Sequence, residues 1–312
     1  MDIGRVGIWT FQLDQQPAAR AQAAAAEIES LGYGAIWIPE ALGREAFTHA
    51  GLLLAGTRRI PIATGIANIW ARDAMAMAAA QKTLAEAYPD RFLLGMGVSH
   101  APMVEGMRGH RYERPLSAMR AYLDAMDRAP FVAAAPATDP PRVIGALAPR
   151  MLALAAERSA GAHPYFVPPE HTRKAREIMG PRPLLAPEQA VVLESDPGRA
   201  RAIARAHMTI YLGLPNYVNN LRRLGFGDAD LAGGGSDRLV DAIVTWGTST
   251  PSSRACVRTT TRARTTCASR SSGRTRASFR SPTGGRSRRP SGSRPADALR
   301  HDLDHDAHSY RP

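Results

Sequence analysis

Residues 5–247 alternate between short apolar runs and stretches of helix length, and this alternation leaves few folds open. The apolar runs are RVGIWT (5–10), AIWIPE (35–40), IPIATGIANI (60–69), RFLLGMGVS (91–99), RVIGAL (142–147), GAHPYFV (161–167) and a segment within PLLAPEQAVVLE (183–194). Between and after them, 16–34, 46–57, 73–88, 115–129, 148–159, 169–180, 196–214, 214–226 and 236–247 read as helices. Asp73 and Ser236 stand where side-chain N-caps are expected. Apolar runs without polar alternation are buried on both faces, the pattern of a parallel sheet covered by helices. Seven such units over ~240 residues suit a (β/α)8 TIM barrel, with an eighth unit due near residue 248. A doubly wound open sheet is the alternative. No Gly-x-Gly-x-x-Gly follows the first run, which speaks against a dinucleotide-binding Rossmann fold.

The eighth unit does not arrive in recognisable form. From Thr248 onward the chain holds 14 Arg, 4 Asp and no Lys, whereas residues 1–247 carry 26 basic and 24 acidic side chains. The net charge of +12 therefore belongs mostly to the tail, and the body is nearly neutral. Residues 261–294 contain one large apolar residue, Phe279, and no Leu, Ile or Val. Such a segment cannot bury enough surface to offset ordering, and the expectation is that no helix or strand of Thr261–Arg294 packs on the barrel. Back-translated with G or C at most third positions and shifted by one nucleotide, TSTPSSRA (248–255) reads DVDAIVAR. CVRTTTRARTTCASR (256–270) continues as VRPDHHAGADHVRV. That is an amphipathic helix, a Gly stop and the start of a strand, at the point where they are missing. The division expected is an incomplete barrel over 1–247 and an off-frame, disordered tail over 248–312. An Arg-rich arm for single-stranded nucleic acid is the rival reading, and it lacks interleaved aromatics for stacking.

Both cysteines, Cys256 and Cys267, lie in the tail, so the body has no disulfide framework and no thiolate metal site. The opening MDIGRVGIWTF is not a signal peptide, and no apolar run reaches the ~18 residues of a membrane helix. The expected location is cytoplasmic, without a membrane partner.

In a barrel of this kind the chemistry sits at the C-terminal ends of the strands. Those ends carry few polar groups, no Ser-His-Asp order and no metal-ligand spacing. An apolar mouth with scattered polar groups suits a cofactor that carries the reaction. The segments GYGAIWIPE, IATGIANIWARDAMAMAAAQKTLAEAYPDRFLLGMGVSH and APRMLALAAERSAGAHPYFVPPEHT resemble the bacterial luciferase-like monooxygenase superfamily. They are most similar to its branch of actinobacterial oxidoreductases that use the deazaflavin coenzyme F420. The resemblance covers residues 4–247. It implies a (β/α)8 barrel with an insertion, a possible homodimer, and F420 or FMN at the mouth, with hydride transfer at the cofactor's central ring.

Carried over residue by residue, the resemblance places a cis peptide behind the ring at Gly65–Ile66. Asn68 reaches the ring's polar edge, and Val98, Ser99 and His100 form the loop that lines ring and phosphate. His100 and Glu40 are the candidate catalytic residues. Glu40 is followed by Ala41 where relatives often carry His, so that proton donor is missing. Leu147, Ala148 and Arg150 open a helix whose N-terminus suits a phosphate. Glu188 is a further candidate acid. Arg44, Arg72, Arg108, Arg111 and Arg114 lie on the mouth loops, where they favour the anionic tail of F420. The implied function is an oxidoreductase with F420 as hydride carrier for a small organic substrate. The alternatives are an FMN monooxygenase served by a separate reductase, and an inactive remnant of the family.

Overall fold

A computed structural model of the chain describes residues 1–248 and the backbone of 267–271. Eleven strands run parallel: β1 (Val6–Trp9), β2 (Ile36–Ile38), β3 (Ile62–Thr64), β4 (Ala67–Asn68), β5 (Phe92–Gly97), β6 (Arg142–Ile144), β7 (Gly161–Ala162), β8 (Leu184–Leu185), β9 (Glu188–Val192), β10 (Val244–Trp246) and β11 (Cys267–Ser271). Neighbours follow the order β10-β9-β11-β1-β2-β3-β5-β6-β7-β8, with β4 on β5. β8 and β9 are one path interrupted at Ala186 and Pro187. The N–H groups of Ala186 and Glu188 donate to the carbonyls of Ala162 and Pro164, both at 2.9 Å, and carry the pairing from β7 to β9. β11 then lies between β9 and β1, so the path returns to its start.

The helices are α1 (Ala18–Ser30), α2 (Ala46–Ala55), α3 (Ala74–Ala87), α4 (Ala101–Gly106), α5 (Pro115–Asp127), α6 (Pro149–Arg158), α7 (Pro169–Met179), α8 (Pro197–Leu212), α9 (Pro215–Arg223), α10 (Asp228–Leu231) and α11 (Asp237–Ile243). The Asp73 carboxylate accepts from the Ala76 N–H at 2.8 Å and the Ser236 hydroxyl from the Leu239 N–H at 3.2 Å, so both expected caps form.

Packing follows the period of two along each strand. Trp9, Trp37, Ala63 and Leu93 are register partners on successive strands and, with Val143 and Ala186, fill the interior of the sheet. Two indoles beside two alanines let large and small side chains share one layer. Ile36, Ile38, Ile62, Leu94 and Ile144 point the other way, onto a second apolar layer beneath the helices. A separate cluster joins α8, α9 and α11 to Phe166, Ala190, Val192 and Val244.

Three departures from expectation bear on the barrel. The run 60–69 is two strands, parted by Gly65–Ile66. Helix 236–247 stops at Ile243, and Val244–Trp246, one β-branched pair and an aromatic, pair with Ala190–Val192 as β10. The expectation that no strand of Thr261–Arg294 packs on the barrel is corrected over Cys267–Ser271. Its backbone pairs with Val6–Ile8 on one side and Glu188–Val191 on the other. Two facing strand edges offer unpaired N–H and C=O groups, and any extended main chain can satisfy them whatever its side chains. The shifted reading begins its strand at the same place. The other residues after 248, which carry the rest of the expected disordered tail, lie outside the described residues.

Candidate active site at the strand ends

At the C-terminal ends of β1 to β7 the chain turns outward through the predicted site residues. The Gly65–Ile66 peptide is cis. The Trp9 indole N–H donates to the Gly65 carbonyl at 3.1 Å. A Cβ at Gly65 would stand 2.7 Å from Trp9 Nε1 and 2.9 Å from His163 Nε2, so the position admits no side chain without a shift. The Ile66 side chain rests on two further glycines. A Cβ at Gly97 would meet its Cδ1 at 2.8 Å, and one at Gly145 its Cγ2 at 3.3 Å. Ile66 is thereby seated across the ends of β5 and β6.

Behind this floor lies His163, buried and stacked on Trp37 with centroids 4.4 Å apart. Its Nδ1–H donates to the Ala186 carbonyl at 2.6 Å. Burial pulls its pKa down to about 4, against the hydrogen bond to Ala186, so the ring is neutral at physiological pH.

Glu40 sits at the end of β2 with a side chain only 5% exposed, facing Arg72 at 11%. Both Arg72 Nη atoms donate to the carboxylate, one at 2.9 Å to Oε2 and the other in a short contact to Oε1. The Asn68 N–H donates to Oε2 at 2.7 Å. Arg72 also reaches Glu45 at 2.8 Å and lies 5.1 Å from the centre of the Phe47 ring. Burial alone would lower the Arg72 pKa, and its Glu40 and Glu45 partners outweigh that and raise it. Asn68 is 1% exposed; its Oδ1 accepts from the Trp70 N–H at 3.0 Å and its Nδ2 has no partner among the described residues.

The loop after β5 is held at each residue. The Val98 carbonyl accepts from the Trp70 indole at 3.0 Å, and the Ser99 carbonyl from the Tyr112 hydroxyl at 3.2 Å. Ser99 adopts φ 57°. His100 Nδ1 lies 2.8 Å from Asn216 Oδ1 at the start of α9. Burial lowers the His100 pKa and the Asn216 contact partly restores it.

After β6, Ala148 precedes α6 with no side-chain cap and Pro149 at the first helical position. The Leu147 carbonyl accepts from His171 Nε2 at 2.8 Å. Arg150 points to solvent in the first turn. Glu188 is buried at the start of β9 and accepts from the Phe166 N–H at 3.4 Å.

The arginines divide. Arg72 is internal, Arg44 donates to the Gln16 carbonyl at 2.6 Å, and Arg111 lies 3.7 Å from Glu113 on the surface. Arg108 is half-buried and Arg114, exposed, precedes α5. Sequence reasoning missed Trp9, His163, His171 and Asn216. Among the described residues, no helix is long and apolar enough to cross a membrane.

The model of the luciferase-like monooxygenase family matches residues 5–249. The chain belongs to that family. A protein of Mycobacterium tuberculosis (strain ATCC 25618 / H37Rv), provisionally named a coenzyme F420-dependent oxidoreductase, is 29% identical over 195 residues, 53% of this chain and 55% of that protein. The chain thus spans about half the length of that relative. Among solved structures, an F420-dependent secondary alcohol dehydrogenase in complex with an F420–acetone adduct superposes with a TM-score of 0.69 at 14% identity, covering 86% of this chain and 94% of the other. The F420-dependent tetrahydromethanopterin reductase of Methanopyrus kandleri gives 0.63 at 16% identity, over 86% and 93%. The oxygenating constituent of 3,6-diketocamphane monooxygenase from Pseudomonas putida, in complex with FMN, gives 0.62 at 15%, over 85% and 91%. At these identities the structural likeness speaks for the fold, the luciferase-like TIM barrel.

Proposed function

We propose that this member of the luciferase-like monooxygenase family is an oxidoreductase that binds coenzyme F420 at the C-terminal mouth and acts on a small organic substrate. The observation that carries the reading is the floor built by Ile66 over Gly97 and Gly145, with the partnerless Asn68 Nδ2 beside it. A planar apolar ring with a polar edge suits that floor, since a buried amide donor without an acceptor costs about 1–3 kcal/mol until a ligand atom supplies one. The α6 N-terminus, uncapped by any side chain, suits a phosphate. These residues fit a deazaflavin or a flavin.

The arginines favour F420. F420 carries a phosphate and a glutamate tail, and Arg108, Arg114 and Arg150 stand on loops and helix starts around the mouth without a carboxylate partner among the described residues. Bound deazaflavin supplies hydride transfer at its central ring. Ile66 supports the ring, Asn68 holds its polar edge, and Val98 and Ser99 line it. Glu40, saturated by Arg72 and the Asn68 N–H, fixes the Asn68 backbone and moves no proton. His100 is the group that exchanges a proton with substrate. Glu188, enclosed near the Phe166 N–H, holds the Phe166 turn.

Fluorescence titration of the purified chain with F420 and with FMN tests the reading. Saturable binding that is tighter for F420 is expected. Equal or tighter FMN binding turns the assignment to a flavin monooxygenase with a separate reductase, and binding of neither supports the inactive remnant. Location in the cytoplasm, dimerisation and the absence of a nucleic-acid partner belong to the same reading, and salt-dependent DNA binding would contradict the last.

A further inference from the structure

We propose that Asn216, at the start of α9, fixes the tautomer of His100 so that Nε2 is the ring's proton-accepting atom. Only the use made of Nε2 rests on the oxidoreductase reading; the tautomer itself does not.

The two residues are 116 positions apart, and each is anchored independently. The His100 carbonyl accepts from the Met103 and Val104 N–H groups, both at 3.0 Å, which fixes its backbone at the head of α4. Asn216 stands beside Pro215 in the first turn of α9 and immediately before Tyr217. Tyr217 is 6% exposed and clamped by three rings: Phe166 at 5.3 Å, Tyr211 at 5.6 Å and Tyr165 at 6.2 Å between centroids. The Tyr217 ring also lies 5.0 Å from the imidazole of His100. A turn held this firmly presents the Asn216 amide in one place.

Amide Oδ1 has lone pairs and no hydrogen to give. The nitrogen it faces at 2.8 Å, Nδ1, must therefore carry the proton. The groups facing the ring are the Asn216 amide and Tyr217 from α9, with the Tyr112 hydroxyl engaged by the neighbouring Ser99 carbonyl. No carboxylate or guanidinium among the described residues pairs with it, and burial disfavours the imidazolium. A neutral imidazole protonated on Nδ1 bears its lone pair on Nε2. Nε2 makes no hydrogen bond among the described residues.

With a deazaflavin bound at the mouth to accept or return hydride, Nε2 would take up the proton of a substrate O–H or N–H during oxidation and give it back during reduction. Asn216 makes its contact with the ring of His100. It is a positioning residue that works through His100, as a hydrogen-bonded partner orients a catalytic histidine.

The test is a long-range proton–nitrogen correlation spectrum of the histidine rings in the 15N-labelled full chain, with His100 assigned by its loss in His100→Gln. The wild type is expected to show His100 neutral and protonated on Nδ1 at pH 7.5. Asn216→Ala should release it toward the Nε2–H form. Asn216→Asp should keep Nδ1–H and raise the His100 titration midpoint by about one pH unit, through a carboxylate in place of the amide. A wild-type His100 protonated on Nε2, or an Nδ1–H form that survives Asn216→Ala, overturns the proposal. The spectra are taken without cofactor, so failure of the F420 titration refutes the F420 reading and leaves the tautomer standing.

Discussion

Replacing Arg72 by Met tests the proposal that its pairing makes Glu40 a fixed support. In the wild type Glu40 is nearly enclosed, and among the described residues Arg72 supplies its only charged partner, through two donors. Met puts an apolar side chain in place of the guanidinium that lies 5.1 Å from the Phe47 ring centre and removes both donors. What remains for the carboxylate is the Asn68 N–H at 2.7 Å and a long contact to the Ala46 N–H at 3.4 Å. Removing one member of a buried pair costs about 3–5 kcal/mol, because the other charge stays buried. The Glu45 contact adds less than about 1 kcal/mol, since that side chain is 45% exposed. Urea denaturation of the full chain at pH 7 should therefore show a loss of about 3–5 kcal/mol for Arg72→Met. The double variant Arg72→Met with Glu40→Leu should recover most of it, as two apolar groups replace two charges. A loss under about 1 kcal/mol in the single variant, or no recovery in the double, would show that the Glu40 carboxylate does not depend on Arg72. Its assignment as a fixed support would then be wrong.

Other outcomes follow from the same geometry. His163 has a folded pKa of about 4 against an ordinary value of 6.5, so the unfolded chain binds the extra proton between these limits. Its contribution to stability is present above pH 6.5 and lost as the pH falls toward 4, by up to about 3 kcal/mol. His163→Phe should flatten that part of the stability–pH curve, and an unchanged slope would refute the buried neutral ring. Ile66→Asp should weaken F420 binding at least about 100-fold, because it sets a charge against the ring on the Gly97–Gly145 floor; titration showing wild-type affinity would remove Ile66 from the site. Restoring the shifted frame after Gly247 should raise the melting temperature and tighten F420 binding, since it puts Val-Arg-Val where Cys267–Ser271 pairs with β1 and β9. Equal melting and equal affinity in the two chains would end the frameshift account.

The barrel was readable because its strands are buried on both faces and its helices are long and periodic. Ile36–Ile38 and Phe92–Gly97 are apolar at every position, and the Gly stops and the Asp73 cap mark where helices end and begin. β10 was not readable, because Val244–Trp246 continues the periodicity of α11 and only the pairing with β9 makes it a strand. β11 was hidden for a different reason. Its pairing is main chain to main chain, and side-chain composition carries no trace of that. At the site, residues within one strand end could be named from their local sequence. Trp9 beneath Gly65, the Arg72–Glu40 pair and the Asn216–His100 contact join segments 56, 32 and 116 positions apart, and only the fold brings them together.

A crystal structure of the chain with F420 bound tests the central claim most directly. The account predicts the deazaflavin ring at the C-terminal mouth, resting on Ile66, with Asn68 Nδ2 donating to its polar edge and the phosphate near the start of α6. A ring bound elsewhere, or one whose polar edge leaves Asn68 Nδ2 without a partner, would contradict it.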